Sequence, residues 1–509
     1  MRKPSRRHNR EQRKYDADGV KKTRAELREV RRIRGLLPPK KPTTSNAQSP
    51  YKTVEEEQAA REESVEAQMR MYRPLLRKLL KQLSKIKDPR QVKKSKHKLG
   101  VILLFGLLSA VFQMSSRREA NRKMSRASFL ETLRLLFPEL ESCPHADTLN
   151  RLLARIEIEE IETAHIGLIQ SFIRNKKFRR WLVSKNYLIA IDGTQKLVRD
   201  GIIWNEEWLE RTHQTKEGEQ TQQYVYVLEA NLVFNNGVSI PLMSEFLSMS
   251  GGDSDLEKQD CERRAFYRLA ERIKKAFPRL RITLLLDGLY PNGPLISQCL
   301  QYDWGFMIVL PDKSLPSVWK EYRSLSELET QNHARRTYKG RIQEFEWINH
   351  IQYEYDHNPS QALQLHVVVC RESWEEVDTQ TGEICEKHSK HAWLSSQSIG
   401  QNNIHQRCNL MGRKRWGIET SFLVEKKQGY YYEHLFSQNF NAMKGFHALM
   451  RIAHMINTIT LLTRDVAQKV KQMGVSCFFK FVLETCANRW LTPQWIENFL
   501  QKPFRIVWQ

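Results

Sequence analysis

Residues 187–194 read Tyr-Leu-Ile-Ala-Ile-Asp-Gly-Thr, and residues 281–288 read Arg-Ile-Thr-Leu-Leu-Leu-Asp-Gly. Each segment is a short apolar run with the length of a buried β-strand, and each run stops at an Asp-Gly pair that is typical of a turn. A carboxylate at such a position stands at the edge of a sheet rather than in open water. The two segments therefore predict buried strands that end at Asp192 and Asp287.

The segments around these two strands predict a mixed sheet. Residues 224–234 and 238–242 have the pattern of a hairpin, residues 256–277 that of an amphipathic helix, residues 294–301 that of a shorter helix, and residues 306–310 that of a strand. Three strands joined by hairpins, followed by helix, strand, helix and strand, is the order of a ribonuclease-H-like sheet. The predicted fold class is mixed α/β: a ribonuclease-H-like catalytic domain, interrupted by a β-rich insertion and flanked by N-terminal and C-terminal helical regions.

A chain of 509 residues exceeds what a single core usually serves, so several domains are expected. Residues 1–40 contain fifteen Lys or Arg against five Asp or Glu, which is typical of a basic arm. Short helices predicted between residues 93 and 156 suit either a helix-turn-helix-like DNA-binding unit or a plain helical support. Arg151 and Arg155, one helical turn apart, are candidates for contacts with a phosphate backbone. The predicted division is a disordered basic arm and linker (1–50), a helical, possibly DNA-binding region (51–180), the first part of the catalytic core (181–312), a β-rich insertion (313–405), the second part of the core (406–460) and a helical C-terminal region (461–509).

Charge and cysteine content narrow the class of protein. Lys and Arg number 82 against 58 Asp and Glu, a formal charge of +24, and such an excess favours nucleic acid as the partner over a membrane surface. The eight cysteines form no Cys-x-x-Cys pair, as expected of reduced thiols. Residues 101–112 are strongly apolar but shorter than the roughly 20 residues that cross a bilayer. We therefore expect a cytoplasmic, nucleoid-associated protein without a secretory signal.

A third acidic residue lies in the segment Arg413-Lys-Arg-Trp-Gly-Ile-Glu419-Thr-Ser-Phe-Leu-Val-Glu-Lys426. Arg415, Glu419 and Lys426 are offset by four and seven residues, so on a helix they fall within roughly 40° of one another. Glu425 points about 120° away from Glu419 on the same helix, which makes Glu419 the better candidate. An ordinary ion pair on a surface helix is the alternative interpretation of this segment.

Three carboxylates and two cations suit phosphodiester chemistry. Cutting or joining DNA requires an activated water or 3′-hydroxyl and a stabilised leaving oxygen, which two Mg²⁺ ions about 3.5–4 Å apart supply. Mg²⁺ prefers oxygen ligands and keeps several waters, so Asp192, Asp287 and Glu419 plus a substrate phosphate suffice as ligands. Arg415 and Lys426 would hold phosphates beside the metal ions.

At this point the sequence resembles the DDE-class insertion-sequence transposases that carry a Tyr-x2-Arg-x3-Glu-x6-Lys signature. Arg415-x3-Glu419-x6-Lys426 matches three of the four signature positions, including the core Arg-Trp-Gly-Ile-Glu, and the tyrosine position falls on Gly412. The segments that end at Asp192 and Asp287 resemble the first two acidic motifs of the family, and a β-rich insertion before the Glu helix is a family trait. The resemblance spans roughly residues 186–460.

The resemblance implies a metal-dependent transposase that cleaves transposon ends and joins the freed 3′-hydroxyl to target DNA. It implies Asp192, Asp287 and Glu419 as catalytic metal ligands, two Mg²⁺ ions for which Mn²⁺ can substitute, double-stranded DNA as substrate, and a homodimer in a synaptic complex. Trp416 is a further candidate for contacting DNA. The tail beyond residue 461 is either a contact surface in that complex or packs within the chain. Two alternatives remain from the residues: a ribonuclease-H-like nuclease without strand transfer, and a DNA-binding protein derived from a transposase that no longer catalyses. Aromatic stacking on an extruded base by Trp347 and Trp374 is a further hypothesis.

Overall fold

The structure is a computed structural model. It describes residue 19 and residues 22–33, 50–91, 93, 95–200, 204–215, 218–249, 261–355, 362–377, 384–504 and 506–508. Most of the predicted basic arm and linker lies outside these residues. Within that segment, residues 22–33 form a helix, which the sequence did not predict, and Arg32 pairs with Glu29 one turn away.

After the helix at residues 22–33, six further α-helices precede the first strand among the described residues, ten strands follow with three helices among them, and five helices end the described chain. The first group is α1 (Val54–Leu83), α2 (Leu99–Val111), α3 (Arg117–Met124), α4 (Ala127–Leu136), α5 (Ala146–Leu153) and α6 (Ile158–Arg174). The middle group is β1 (Tyr187–Asp200), β2 (Leu209–Thr215), β3 (Gly218–Val233), β4 (Ser239–Phe246), α7 (Glu262–Ala276), β5 (Ile282–Leu286), α8 (Gly293–Gln301), β6 (Gly305–Val309), α9 (Pro316–Ser326), β7 (His333–Tyr338), β8 (Arg341–Tyr353), β9 (Leu363–Val377) and β10 (Ile384–Ser395). The last group is α10 (Trp416–Lys427), α11 (Phe440–Leu461), α12 (Arg464–Met473), α13 (Val475–Ala487) and α14 (Pro493–Gln501).

All ten strands join in one mixed sheet in the order β2-β3-β1-β5-β6-β10-β9-β8-β7, with β4 paired to β3. The β1/β3 and β3/β4 pairs are antiparallel, whereas β1/β5 and β5/β6 are parallel. The mixed α/β class predicted from the sequence is thus confirmed. The predicted insertion does not form a sheet of its own, because β10 pairs antiparallel with β6 and its strands extend the same sheet.

Strand β1 differs from the prediction in its length. The sequence predicted a strand that ends at Asp192, but β1 continues to Asp200, so Asp192 lies in the middle of the strand. The Asp-Gly pair is not a turn here. A Cβ at Gly193 would lie 2.4 Å from the Tyr226 ring on the neighbouring strand and 2.7 Å from Glu262, so glycine is needed for close packing. Asp287, by contrast, directly follows β5 as predicted.

The N-terminal helices form a bundle against one face of the sheet. Helix α2, which comes from the apolar run at residues 101–112, is buried along most of its length, as expected of a core helix. Helix α1 is continuous through Pro74, a residue type that usually interrupts a helix, because Leu75, Leu76 and Leu79 beyond the proline are buried and hold the helix in place.

The C-terminal helices pack within the chain. Arg61 of α1 donates a hydrogen bond to Thr485 of α13, and Ser128 of α4 donates one to the backbone oxygen of Ala487. The tail beyond residue 461 thus packs against the N-terminal helices of the same chain. No helix among the described residues is both long enough and apolar enough to span a bilayer. The eight cysteines are all free thiols, four of them buried.

Candidate active site

The two predicted aspartates lie level with each other on adjacent strands. The parallel β1/β5 register pairs Ile189 with Leu284 and Ala190 with Leu285. Continuing this register by two residues brings Asp192 level with Asp287, and residues that are level on adjacent strands face the same side of a sheet. Two acids that are 95 positions apart in the sequence therefore meet at one place in the fold.

Glu419 comes to this place on helix α10. Ile418 and Phe422, one turn apart, are buried against the sheet. Gly417 allows the helix to approach closely, since a Cβ there would lie 3.0 Å from Val233 at the end of β3. The turn before the helix is equally tight: a Cβ at Gly412 would lie 3.0 Å from the Trp393 indole nitrogen. Trp393 therefore leaves little room for a side chain at position 412, where the Tyr-x2-Arg-x3-Glu-x6-Lys signature has its tyrosine.

Arg415 connects the acids. Its Nη1 lies 3.3 Å from Oδ2 of Asp192, and its Nη2 lies 2.6 Å from Oε1 of Glu419. The Arg415 side chain is 10% exposed, and the Asp192 and Glu419 side chains are 17% and 37% exposed, so the contact is largely shielded but open on the Glu419 side. Asp192 and Arg415 are 223 residues apart in the chain, so this contact is a product of the fold and not of local sequence.

The negative charges crowd one another. Burial raises the pKa of Asp192 to about 6; Arg415 opposes this rise, and the nearby carboxylates of Asp287, Glu262 and Glu419 add to it. A site whose acids repel one another attracts cations. All its donors are carboxylate oxygens, the ligand type that Mg²⁺ prefers, so the donor set fits Mg²⁺ chemically. The Arg415 guanidinium lies between the carboxylates of Asp192 and Glu419. Among the described residues, no group of three or more His, Cys, Asp or Glu side chains is arranged to hold a metal ion.

Glu262 is a member of this cluster that the sequence analysis missed. It begins α7, and its carboxylate accepts hydrogen bonds from Tyr290 Oη (2.6 Å) and Tyr226 Oη (3.0 Å). Burial raises its pKa, while the two tyrosine hydrogen bonds oppose the rise. The signal in the sequence is the place of Glu262 in the helix before β5: an acid at the start of that helix lies near the carboxyl end of β5, where Asp287 follows. The helix was predicted to begin at residue 256, so Glu262 did not fall at its start.

The predicted phosphate-binding residues have different surroundings. Arg415 is held by the two acids, whereas Lys426 donates a hydrogen bond to the Gln195 backbone oxygen (3.1 Å) and pairs with Glu433 (3.3 Å). Arg415 and Lys426 both reach β1, as expected for one helix face. Trp416 is 62% exposed beside Arg415.

Arg151 and Arg155 are both exposed on the helical bundle, although α5 ends at Leu153, so Arg155 lies in the following turn and not on the helix.

A cavity of about 330 Å³ opens beside the acids, lined by Arg415, Trp416, Trp393, His391, Arg413 and Pro311 among others. The tryptophans named for base stacking are elsewhere. Trp347 is buried in the core, and Trp374 lies against the Arg341 guanidinium at 3.7 Å. The stacking hypothesis is therefore wrong for Trp347, which has no exposed face.

Comparison with known families bears on the helical bundle. Residues 80–169 match the family model described as DDE_Tnp_1-associated, a domain found with DDE-type transposases. The match runs from the end of α1 into α6 and thus lies outside the sheet that carries the acids. It supports the resemblance to DDE-class transposases and suggests a transposase-related function. No match to a curated protein was found.

Proposed function

We propose that this chain is a DDE transposase that cleaves DNA at transposon ends and transfers the freed strand into target DNA. The observation that carries the proposal is the contact of Arg415 with both Asp192 and Glu419, at the carboxyl end of β5, where Asp287 is level with Asp192. Acids from three distant segments lie near enough to affect the pKa of Asp192, and the proposed chemistry needs three carboxylates that share two metal ions. The DDE_Tnp_1-associated match supports the same class from an independent part of the chain.

The sheet is compatible with a ribonuclease-H-like core. Its strands β4-β3-β1-β5-β6 are adjacent in that order, antiparallel on the hairpin side and parallel on the side of the crossover helices α7 and α8. We propose this part of the sheet, with α10, as the catalytic domain. The strands β7 to β10 enlarge it on the side of β6.

Asp192, Asp287 and Glu419 would hold the divalent ions, with Mg²⁺ the proposed cofactor and Mn²⁺ a substitute. The bound ions would supply an activated water or 3′-hydroxyl and stabilise the leaving oxygen. The role proposed for Arg415 is to neutralise Asp192 and Glu419 in the free protein and to turn to a DNA phosphate in the complex, where its planar fork can bind two phosphate oxygens. Lys426 would hold a neighbouring phosphate from the same helix face.

Duplex DNA is the proposed partner, both as transposon end and as target. The net charge of +24 supplies the long-range attraction. The exposed Arg151, Arg155 and Trp416 are candidate contacts, and a homodimer would bring two ends together. Replacing Arg151 and Arg155 with Ala is expected to weaken DNA binding and to lower the salt dependence of log K by about one unit per lost phosphate contact.

The test uses a plasmid that carries the DNA flanking this chain's coding sequence on both sides. With Mg²⁺, the wild-type protein is expected to release the flanked segment and to join its 3′ ends to a second DNA. Asp192→Asn, Asp287→Asn and Glu419→Gln should each lower the rate by about a thousandfold or more and keep DNA binding in a mobility-shift assay. Glu271→Gln, an exposed acid on α7, is the matched control and should leave the rate unchanged.

The outcomes separate the alternatives. Cleavage without joined products would favour a nuclease that uses the same site. Binding without any metal-dependent cleavage would favour a non-catalytic DNA-binding protein. Full activity in any of the three acid variants would remove that residue from the proposed site.

A further inference from the structure

A second group of charged side chains is buried near the acids, and it includes Glu229, which lies opposite Asp192 on the neighbouring strand and so faces the same side of the sheet. It is centred on Arg451 of α11, whose side chain is 2% exposed. Arg451 Nη1 lies 3.0 Å from Oε1 of Glu425 on α10, and its Nη2 lies 3.2 Å from Oε2 of Glu229 on β3. Both carboxylates are completely buried. One guanidinium therefore joins a strand of the sheet to the helix that carries Glu419.

This bridge ends close to two proposed catalytic residues. Glu229 is the cross-strand partner of Asp192 in the β1/β3 register. Glu425 follows Glu419 by six residues on α10, and the two point away from each other, as the sequence predicted. The position of α10 relative to β1 therefore depends on the Arg451 bridge.

Histidines of α11 reinforce both ends of the bridge. His454 Nδ1 lies 2.7 Å from Oε1 of Glu425, and His447 Nε2 lies 3.0 Å from Oε1 of Glu229. Arg451 also donates to Asn231 Oδ1 at 2.6 Å, so its planar group has partners on two strand positions and one helix. A guanidinium held at this many points has one orientation, and it imposes that orientation on α10.

Helix α11 itself has little freedom to shift. Its other side packs on the helical bundle, where a Cβ at Gly445 would lie 2.8 Å from Leu153 and a Cβ at Gly106 of α2 would lie 2.8 Å from Leu449. Helix α11 is thus held in place between the bundle and the sheet, and Arg451 fixes the position of α10 relative to α11.

We infer that Arg451 is a positioning residue for the proposed reaction: through Glu425 and Glu229 it holds α10 so that Glu419 faces Asp192. Buried ion bridges add little net stability over apolar residues of equal volume, so a gain in geometry is the more fitting role for three buried charges. The inference rests on the proposed function. It assigns Arg451 no contact with substrate or metal.

The experiment compares Arg451→Met with Arg451→Lys and with the triple variant Glu229→Gln, Glu425→Gln, Arg451→Met, which removes the charges without leaving any carboxylate unpaired. Arg272→Met is the matched control. Arg272 likewise bridges two shielded carboxylates, Glu162 and Glu245, but it joins α7 to α6 and β4 and does not contact α10.

In single-turnover cleavage at saturating DNA, the triple variant is expected to lose about a hundredfold in rate, the scale of a misplacement of about 1 Å. In the triple variant, the DNA affinity should stay unchanged and the Mg²⁺ concentration for the half-maximal rate should rise. Arg451→Lys should keep part of the rate that Arg451→Met loses. Arg272→Met should keep the wild-type rate. A folded triple variant with the wild-type rate and Mg²⁺ dependence would overturn the inference.

Hydrogen exchange separates this inference from the proposed function. If the wild-type chain cleaves no DNA, the proposed function fails, and the amide protection of residues 416–427 still decides the role of Arg451. We expect the triple variant to lose protection there and Arg272→Met to keep it. Equal protection of this segment in both variants would mean that Arg451 does not hold α10.

Discussion

Asp192 on β1 and Glu229 on β3 lie opposite each other, and their pKa values are shifted in opposite directions. At Asp192, burial and the neighbouring acids outweigh Arg415, and the pKa rises to about 6. At Glu229, burial would also raise the pKa, but Arg451 and His447 outweigh burial and hold the pKa of this carboxyl well below its ordinary value. The same contrast recurs along α10, where Glu419 is partly exposed and Glu425 is buried and paired.

The contrast separates the proposed metal ligands, Asp192 and Glu419, from the acids that stabilise the fold, Glu229 and Glu425. Acids whose charge is only partly compensated cost stability and are available to bind a cation, whereas acids that are buried and paired with Arg451 hold the fold and are unavailable. Neighbouring positions on the same strand pair and on the same helix thus have opposite roles. Three sets of variants test this difference between the two kinds of acid.

The largest effect on stability is expected at the paired acid. Glu229→Ala leaves Arg451 and His447 without that carboxylate in a buried setting and should cost about 3–5 kcal/mol in the free energy of unfolding. Urea denaturation measures the loss. Glu219→Ala, at an exposed position on the same strand, is the control and should stay within about 0.5 kcal/mol of the wild type. A Glu229→Ala variant as stable as this control would remove the supporting role from the buried group.

A smaller effect is expected where α11 meets the helical bundle. In Gly445→Ala the new methyl group would lie 2.8 Å from a Leu153 methyl and 3.0 Å from Ile158, and such overpacking costs about 1–3 kcal/mol. Gly100→Ala in α2 has nothing within 4 Å and should instead stabilise the helix by about 0.5–1 kcal/mol. Thermal unfolding of both variants tests whether α11 is held from its bundle side. Equal stability of the two would contradict the close packing.

At the proposed metal ligand Asp192, a stabilising effect that depends on pH is expected. Because the folded-state pKa of Asp192 is raised above the ordinary value of about 3.8, its ionised form costs stability above pH 6, and this cost disappears as the pH falls toward 4. Asp192→Asn should therefore stabilise the protein by about 1–2 kcal/mol at pH 8, and this advantage should vanish near pH 4. Urea titrations at the two pH values measure it. A variant that is less stable than wild type at pH 8 would show that Arg415 fully compensates Asp192.

The sequence predicts the proposed catalytic residues better than the buried charges that support them. Apolar runs mark the strands before Asp192 and Asp287, and the spacing of Arg415, Glu419 and Lys426 marks one helix face. The end of β1 was predicted wrongly because an Asp-Gly pair has the same letters whether it makes a turn or makes room for Tyr226. Glu262 was missed because its role depends on where α7 begins.

The Arg451 bridge could not be predicted from local patterns. Arg451 lies among apolar residues of a long helix, and Glu229 lies in a strand 222 positions before it, so only the tertiary fold distinguishes them from surface charges. The joining of the insertion strands to the main sheet is equally non-local, since it depends on the pairing of β10 with β6.

The most direct test of the proposed metal site is a crystal structure of the protein with cleaved end DNA and Mn²⁺, analysed for anomalous scattering. We predict Mn²⁺ peaks bound by Asp192, Asp287 and Glu419, with the Arg415 guanidinium moved from Asp192 to a DNA phosphate. The proposed site would be contradicted by a DNA-bound crystal in which Arg415 still bridges Asp192 and Glu419 and no Mn²⁺ lies at these carboxylates.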